Sequence, residues 1–319
     1  MIDTSYKTIV ENFKAKMAER IVGQQELIEG ILTAYIAGGH VLLEGVPGLA
    51  KTLIVKTFAE LSNVSFKRIQ FTPDLLPADL IGTLIYQQSI GKFSVRRGPV
   101  FANIVLADEI NRAPAKTQAA LFEVMEERQA TIDGQSYKMD EIYSIFATQN
   151  PVETLGTYPL PPAQLDRFMV SISIGYPDDE SALEILDGNP GVQALSKLYP
   201  IITTGNIITS REEQERVYCH KALQKAIIDI CNKTREHSDI ELGASPRASL
   251  QFLHLAKTIA LSNGRNWVED TDIEIIAPYV LAHRCIFKNR KANAKESVAE
   301  ITKSVLIKMD KETDWSKEV

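Results

Sequence analysis

Cysteine is scarce in this 319-residue chain, where Cys219, Cys231 and Cys285 stand far apart and form no CxxC pair. Their odd number and wide spacing exclude a disulfide framework and a zinc-finger layout, so buried thiols in a reducing compartment are expected. Long apolar runs are missing too. Stretches such as Ile31 to Ala37 and Ile104 to Ala107 are far too short to cross a bilayer. The opening MIDTSYKTIVENFKAKMAER mixes charge into every turn and has no apolar core of signal-peptide type. A cytoplasmic protein with no membrane span is the expectation. Charge of one sign is also lacking: 35 basic against 41 acidic residues leave a net charge of −6. That balance argues against a protein whose main task is to coat nucleic acid.

What is present is ordinary globular material, with 45% apolar and 24% charged residues in a chain long enough for two domains. Residues 4–37 carry helical periodicity, broken at Ile21–Gln24. Val41–Glu44, Phe66–Phe71, Ile104–Ala107, Ile142–Thr148 and Met169–Ile174 have the apolar or alternating character of strands, and helical patterns run over Thr52–Leu61 and Thr117–Arg128. Thr83–Tyr86 and Lys92–Val95 flank a Gly91 turn. Asp133-Gly134 marks a second hairpin between Ala130–Ile132 and Tyr137–Met139. This alternation predicts an α/β fold over residues 1–177, a parallel sheet with helices on both faces. After Tyr176-Pro177 the patterns are helical only, near 179–187, 210–237, 246–262, 270–287 and 294–309, with a loop over Gly188–Asn206. A smaller all-α domain over 178–319 is expected.

The chemistry concentrates in the first domain. Gly45-Val46-Pro47-Gly48-Leu49-Ala50-Lys51-Thr52 lies between a strand and a helix, the setting of a phosphate-binding loop. Glycines let backbone N–H groups converge on phosphate oxygens, and the helix N-terminus adds partial positive charge. Lys51 would bridge the β- and γ-phosphates of ATP, and the Thr52 hydroxyl would ligate Mg²⁺. Ala50 replaces the second fixed glycine of the general pattern and is expected to keep negative φ. Asp108-Glu109 ends an apolar strand, placing two carboxylates where α/β ligand sites lie. Asp108 would support Mg²⁺, and Glu109 would orient and deprotonate the attacking water. Asn150, at the end of a further strand, would help position that water if its strand lies beside the Asp108 strand; ordinary turn chemistry before Pro151 is the alternative.

The order of these segments, followed by Leu165-Asp166-Arg167-Phe168 and Gly243-Ala244-Ser245-Pro246-Arg247, resembles the AAA+ ATPases, and more narrowly their MoxR branch. The likeness covers nearly the whole chain, is closest over Gly45–Thr52, Gly98–Arg128, Ala147–Phe168 and Gly243–Ser249, and includes the Ala50 form of the loop. It implies a P-loop AAA+ core and a helical lid, with residues 73–100 as an insert in the second core helix. ATP would be held by Gly45 to Leu53, including Val46, Pro47, Gly48, Leu49 and Leu53, with Val22 and Gly23 bordering the adenine. Asn150 would be the first sensor, Arg167 an arginine finger acting on a neighbour's γ-phosphate, and Arg247 the second sensor. The bland readings are a helix-end cation for Arg167 and a helix-start cap for Arg247. The resemblance further implies a homo-oligomeric ring, expected to be a hexamer, working on a protein client, with a von Willebrand factor A-type partner as one candidate.

Other residues carry less. His40 has no second ligand at metal spacing and reads as structural. Trp267 and Tyr279 read as lid core, and Arg96-Arg97 as a solvated face. A nucleic-acid motor or a chelatase-type subunit would share the same scaffold, but Lys92, Arg96, Arg97 and Lys138 are too few for a basic pore. A nucleotide-gated binding module is the non-enzyme alternative, against which Glu109 and Asn150 stand.

Overall fold

A computed structural model describes residues 6–46, 48–89, 91–150, 156–188, 199–289 and 293–313. Helices α1 (Tyr6–Ala18) and α2 (Gln25–Ile36) precede β1 (Val41–Glu44), α3 (Lys51–Leu61), β2 (Phe66–Gln70) and α4 (Pro77–Ile81). A hairpin, β3 (Gly82–Gln87) and β4 (Lys92–Arg97), leads to β5 (Ile104–Asp108) and α5 (Ala115–Glu127). A second hairpin, β6 (Gln129–Ile132) and β7 (Gln135–Lys138), is followed by β8 (Ser144–Gln149), α6 (Pro162–Leu165) and β9 (Val170–Ser173).

The five core strands pair in the order β2-β5-β8-β1-β9, and every pairing is parallel. Both faces are covered, so the alternation of each strand feeds two cores. Val41 and Leu43 of β1, Ile104 and Leu106 of β5, and Phe146 of β8 enter one cluster. Leu42, Val105, Ala107, Ile145 and Ala147 enter the other, beneath α4 and α5. The first cluster is organised around Phe58 of α3, whose ring meets those of Phe13, Tyr35 and Phe146 at 5.0, 5.1 and 5.7 Å. The buried residues of α1, Tyr6, Val10, Phe13 and Met17, fall on one stripe at the helical period.

After β9 come α7 (Asp179–Gly188), α8 (Thr204–Arg216), α9 (Lys221–Glu236), α10 (Pro246–Ser262), α11 (Asp270–Leu281) and α12 (Ala294–Glu312). Several details differ from the sequence reading. The expected 210–237 helix is two, because α8 ends before Val217 and His220 starts α9 by accepting the Ala222 N–H. The Gly188–Asn206 loop falls largely outside the described residues, and its end is already helix, with Thr203 capping α8 through the Asn206 N–H. The 270–287 segment stops at Leu281, and Ile286–Phe287 turns into β11, which pairs antiparallel with β10 (Ile240–Leu242). The lid is thus helical with one short ribbon added. Trp267 is not core: it is 49% exposed and donates to Glu269. Tyr279 does pack against the first cluster.

His40 is structural, as its sequence context suggested. Its Nδ1 accepts the Ile145 N–H at 3.0 Å, and its Nε2 lies 3.3 Å from the Met125 carbonyl, tying β1, β8 and α5 together. Burial, and secondarily the Arg128 charge, holds its pKa down at about 3. The folded state therefore stays neutral at position 40 while the unfolded chain takes a proton below pH 6.5. Stability owed to this site should fall as pH drops from 7 to 5, by about 2 kcal/mol. Urea unfolding of the parent and of His40→Gln at both pH values checks this. The variant's deficit at pH 7 should shrink at pH 5, and an equal deficit at both would contradict the assignment.

Candidate functional site

Parallel pairing brings the ends of β1, β5 and β8 to one edge, since Glu44 registers with Gln149 and Ala107 with Ala147. Gly45, Glu109 and Asn150 leave those three strands side by side. The condition on Asn150 is met: its strand is the direct neighbour of the Asp108 strand.

The loop after β1 closes on itself, with Lys51 Nζ donating to the Gly45 carbonyl at 2.6 Å. Burial pulls the Lys51 ammonium below the usual lysine range, and the Asp108 and Glu109 charges push it back up. Thr52 is the second residue of α3, at the positive end of the helix. Pro47 lies outside the described residues. Ala50 departs from expectation: its φ is +53°, in the left-handed region. A Cβ in that region costs about 1–2 kcal/mol, which explains why glycine suits the position.

Asp108 is buried at the end of β5 and is fully engaged. Its Oδ1 accepts from the Thr148 hydroxyl at 2.6 Å, and its Oδ2 accepts from Arg68 Nε and a terminal nitrogen at 3.0 and 2.6 Å. Glu109 also has positive φ, +56°, and its N–H bonds Thr148 Oγ1 at 2.9 Å. Its carboxylate accepts from Gln70 Nε2 at 2.6 Å and lies 3.3 Å from Arg112 Nε. A non-glycine residue strained into this region where the chemistry is expected fits a side chain that must point at a fixed spot. Arg68, Gln70 and Thr148 had not been singled out from the sequence. The usable signal was their place two or four residues along strands adjacent to β5, which needs the register.

Val22 lines a largely apolar cleft of about 290 Å³ with Ile21, Leu49, Leu53, Pro177 and Ile185. Gly23 faces the polar cleft beside it, and its positive φ of +71° together with Ser181 2.5 Å from where a Cβ would stand favours glycine there.

Arg167 and Arg247 are not with these residues. The Met169 N–H bonds the His40 carbonyl, which precedes β1, so Arg167 stands at the opposite edge of the sheet from Gly45. It donates to the Ala163 carbonyl at 3.2 Å, so the helix-end contact of the bland reading is present, and to Glu126 at 3.1 Å. Arg247 does not cap its helix, because Ser245 does so through the Ala248 N–H; Arg247 also bonds Glu126. The two segments are locked together by Asp166, which accepts from Ser245 Oγ at 2.8 Å and from the buried Arg284 at 3.0 Å.

A strand-edge loop with a buried acid behind it, a parallel five-stranded sheet and a helical lid define the class, an AAA+ ATPase. The comparisons agree: residues 40–170 match the ATPase family associated with various cellular activities (AAA), and residues 232–304 the AAA lid domain. Chaperone MoxR1 of Mycobacterium tuberculosis is 45% identical over 83% of this chain and 72% of its own length. Bacillus subtilis YeaC, described as uncharacterized, is 41% identical over 90% of this chain and 91% of its own. A solved putative ATPase from Cytophaga hutchinsonii superposes with a TM-score of 0.84 at 43% identity, covering 95% and 94% of the two chains. The chain belongs to the MoxR family of AAA+ ATPases.

Ala50→Gly should relieve the left-handed strain. After the backbone entropy of glycine is set against it, a gain of about 1 kcal/mol in unfolding free energy is expected, with nucleotide affinity retained. Denaturant titration checks it, and a loss of stability would mean that position 50 is not held at positive φ.

Proposed function

We propose that this protein hydrolyses ATP with Mg²⁺ and uses the turnover to remodel a protein client, as one subunit of a ring. The observation that carries the ring reading is the placement of Arg167 and Arg247 at the edge opposite their own P-loop. About five residues of strand separate the two edges, roughly 16 Å at the usual rise. Neither guanidinium can serve its own subunit's phosphates, so both are assigned to the nucleotide of a neighbour.

Within one site, the Lys51 ammonium would leave the Gly45 carbonyl for the β- and γ-phosphates. The cation would be held by the Thr52 hydroxyl and by Asp108, through water or once Arg68 gives way from its carboxylate. Among the described residues there is no cluster of three or more metal-ligating His, Cys, Asp or Glu side chains. Mg²⁺ is taken up mainly through phosphates and water. When bound, it would neutralise charge on the transferring phosphoryl group. Glu109, aimed by its strained backbone and its Gln70 bond, would take the proton of the attacking water, with Asn150 holding that water in line. Arg167 of the next subunit would stabilise charge on the γ-phosphate.

Chaperone MoxR1's name supports a client-directed role. So does the first hairpin, where Tyr86 and Phe93 are 55% and 69% exposed with ring centroids 5.2 Å apart. Such an aromatic pair suits exposed apolar side chains of a client, a von Willebrand factor A-type protein being one candidate. Arg97 stacks on Phe101 and Tyr137 at 5.1 and 5.4 Å, which supports an anchoring rather than a nucleic-acid role for it. We place the core–lid boundary near residue 177, and a hexamer is the expected stoichiometry.

Glu109→Gln should keep ATP affinity and lose turnover on the order of 100-fold or more, whereas Lys51→Ala should lose binding itself. Arg167→Ala should lower kcat on the order of 1000-fold. Specific activity of the parent should rise with protein concentration as subunits assemble. Activity independent of concentration, or full turnover by Glu109→Gln, would refute the reading.

A further inference from the structure

Glu126 has no part in the phosphate chemistry, yet its carboxylate joins the two arginines. Its Oε2 accepts from Arg167 Nε at 3.1 Å, and its Oε1 accepts from Arg247. Arg167 arrives from the segment before β9, and Arg247 from the first turn of α10 in the lid. A single carboxylate on α5 thus brings together guanidiniums that are eighty positions apart in sequence.

The mounting beneath them is closely packed. Phe122, one helical turn before Glu126, is buried and meets Phe168 edge-on at 5.9 Å. The Arg167 guanidinium lies over the same Phe122 ring at 5.9 Å. On the lid side, Ser245 and Arg284 both hold Asp166, and Arg284 also donates to the Phe168 carbonyl at 2.6 Å. Above this base the three charged groups are open: Arg167, Arg247 and Glu126 keep 27%, 38% and 34% of their side-chain surface. Two positive charges against one negative leave the cluster with an unspent positive charge facing solvent.

We infer that Glu126 is a positioning residue that presets Arg167 and Arg247 as a paired receptor for a terminal phosphate of the nucleotide bound by a neighbouring copy of this chain. The inference rests on the ring reading above. Arginine side chains are long, and a guanidinium fork loses less freedom on binding an anion when it is already held in place. Arg167 engages Glu126 through Nε and Arg247 through one terminal nitrogen. That leaves N–H groups on both forks for phosphate oxygens, so the carboxylate orients the pair without consuming it. Because Arg247 belongs to the lid and Arg167 to the core, the same carboxylate also bridges the two where they meet.

An exposed ion pair contributes little to folding, so the structural and positioning roles separate experimentally. The test is steady-state ATPase activity of Glu126→Ala at a concentration where the parent is assembled, with nucleotide affinity and Tm measured alongside. The expected result is a kcat lowered about ten-fold or more, since the arginines it orients carry a larger factor still. Affinity for ATP should stay within about two-fold, because the variant's own P-loop is untouched, and Tm within about 2 °C. Mixing Glu126→Ala with Glu109→Gln subunits, which contribute intact arginines but no turnover, should raise activity above the sum of the two alone. Arg167→Ala, mixed with the same partner, is the control. Full activity of Glu126→Ala beside an inactive but rescuable Arg167→Ala would overturn the role of Glu126 and leave the shared site standing. Loss of activity in Glu126→Ala that mixing fails to restore, when Arg167→Ala is restored, would show a structural role and overturn the inference too. An Arg167→Ala variant that is fully active, or that mixing does not restore, would remove the shared site and the inference with it.

Discussion

Strands that run parallel put all their carboxyl ends at one edge, and in this protein that polarity sets the two acids and the Gly45 loop apart from Arg167 and Arg247. With β5, β8 and β1 adjacent and co-directional, Asp108, Asn150 and the Gly45 loop meet without any help from long-range loops. The same polarity sends α5 back across the face, so that its last turn, with Glu126, lies at the amino edge. Arg128, just beyond, makes the point concrete: it bonds the Tyr143 and Gly38 carbonyls, which stand ahead of β8 and β1. One sheet therefore presents an edge with the Gly45 loop and the two acids and an opposite edge with Arg167 and Arg247, and a head-to-tail arrangement of copies is what would bring the two together.

At the carboxyl edge, both acids are tied to neighbouring strands. Thr148 serves both, donating to Asp108 and accepting from the Glu109 backbone, while Arg68 covers the other Asp108 oxygen and Gln70 holds Glu109. Two non-glycine residues at positive φ, Ala50 and Glu109, flank this arrangement. Strain of that kind persists only where the surroundings determine the backbone, and here the strand ends on either side do so.

What could be read from the sequence was what is local in sequence. The P-loop is eight consecutive residues, Asp108-Glu109 follows an apolar strand directly, and the Asp133-Gly134 hairpin announces its own turn. Each is a short pattern with a backbone consequence, and the parallel α/β class follows from their alternation. Arg68, Gln70 and Thr148 escaped because they reach the acids across strand pairings from 39 or 40 positions away, and register is invisible before the sheet is built. Glu126 escaped for a related reason: on an amphipathic helix it reads as one more solvated carboxylate. The sign of φ at Ala50 and the exposure of Trp267 depend on what surrounds them, which residue type alone does not determine. The lid ribbon consists of one two-residue and one three-residue strand, too short for any periodicity to register.

The proposed catalytic site is shared between copies of the chain. The most direct measurement is an electron cryo-microscopy structure of Glu109→Gln trapped with Mg-ATP. The expected result is a closed assembly in which one subunit's Lys51 and the next subunit's Arg167 both contact the same γ-phosphate, with Arg247 beside Arg167. A nucleotide-loaded monomer, or an assembly in which Arg167 faces solvent while ATP is bound, would contradict it.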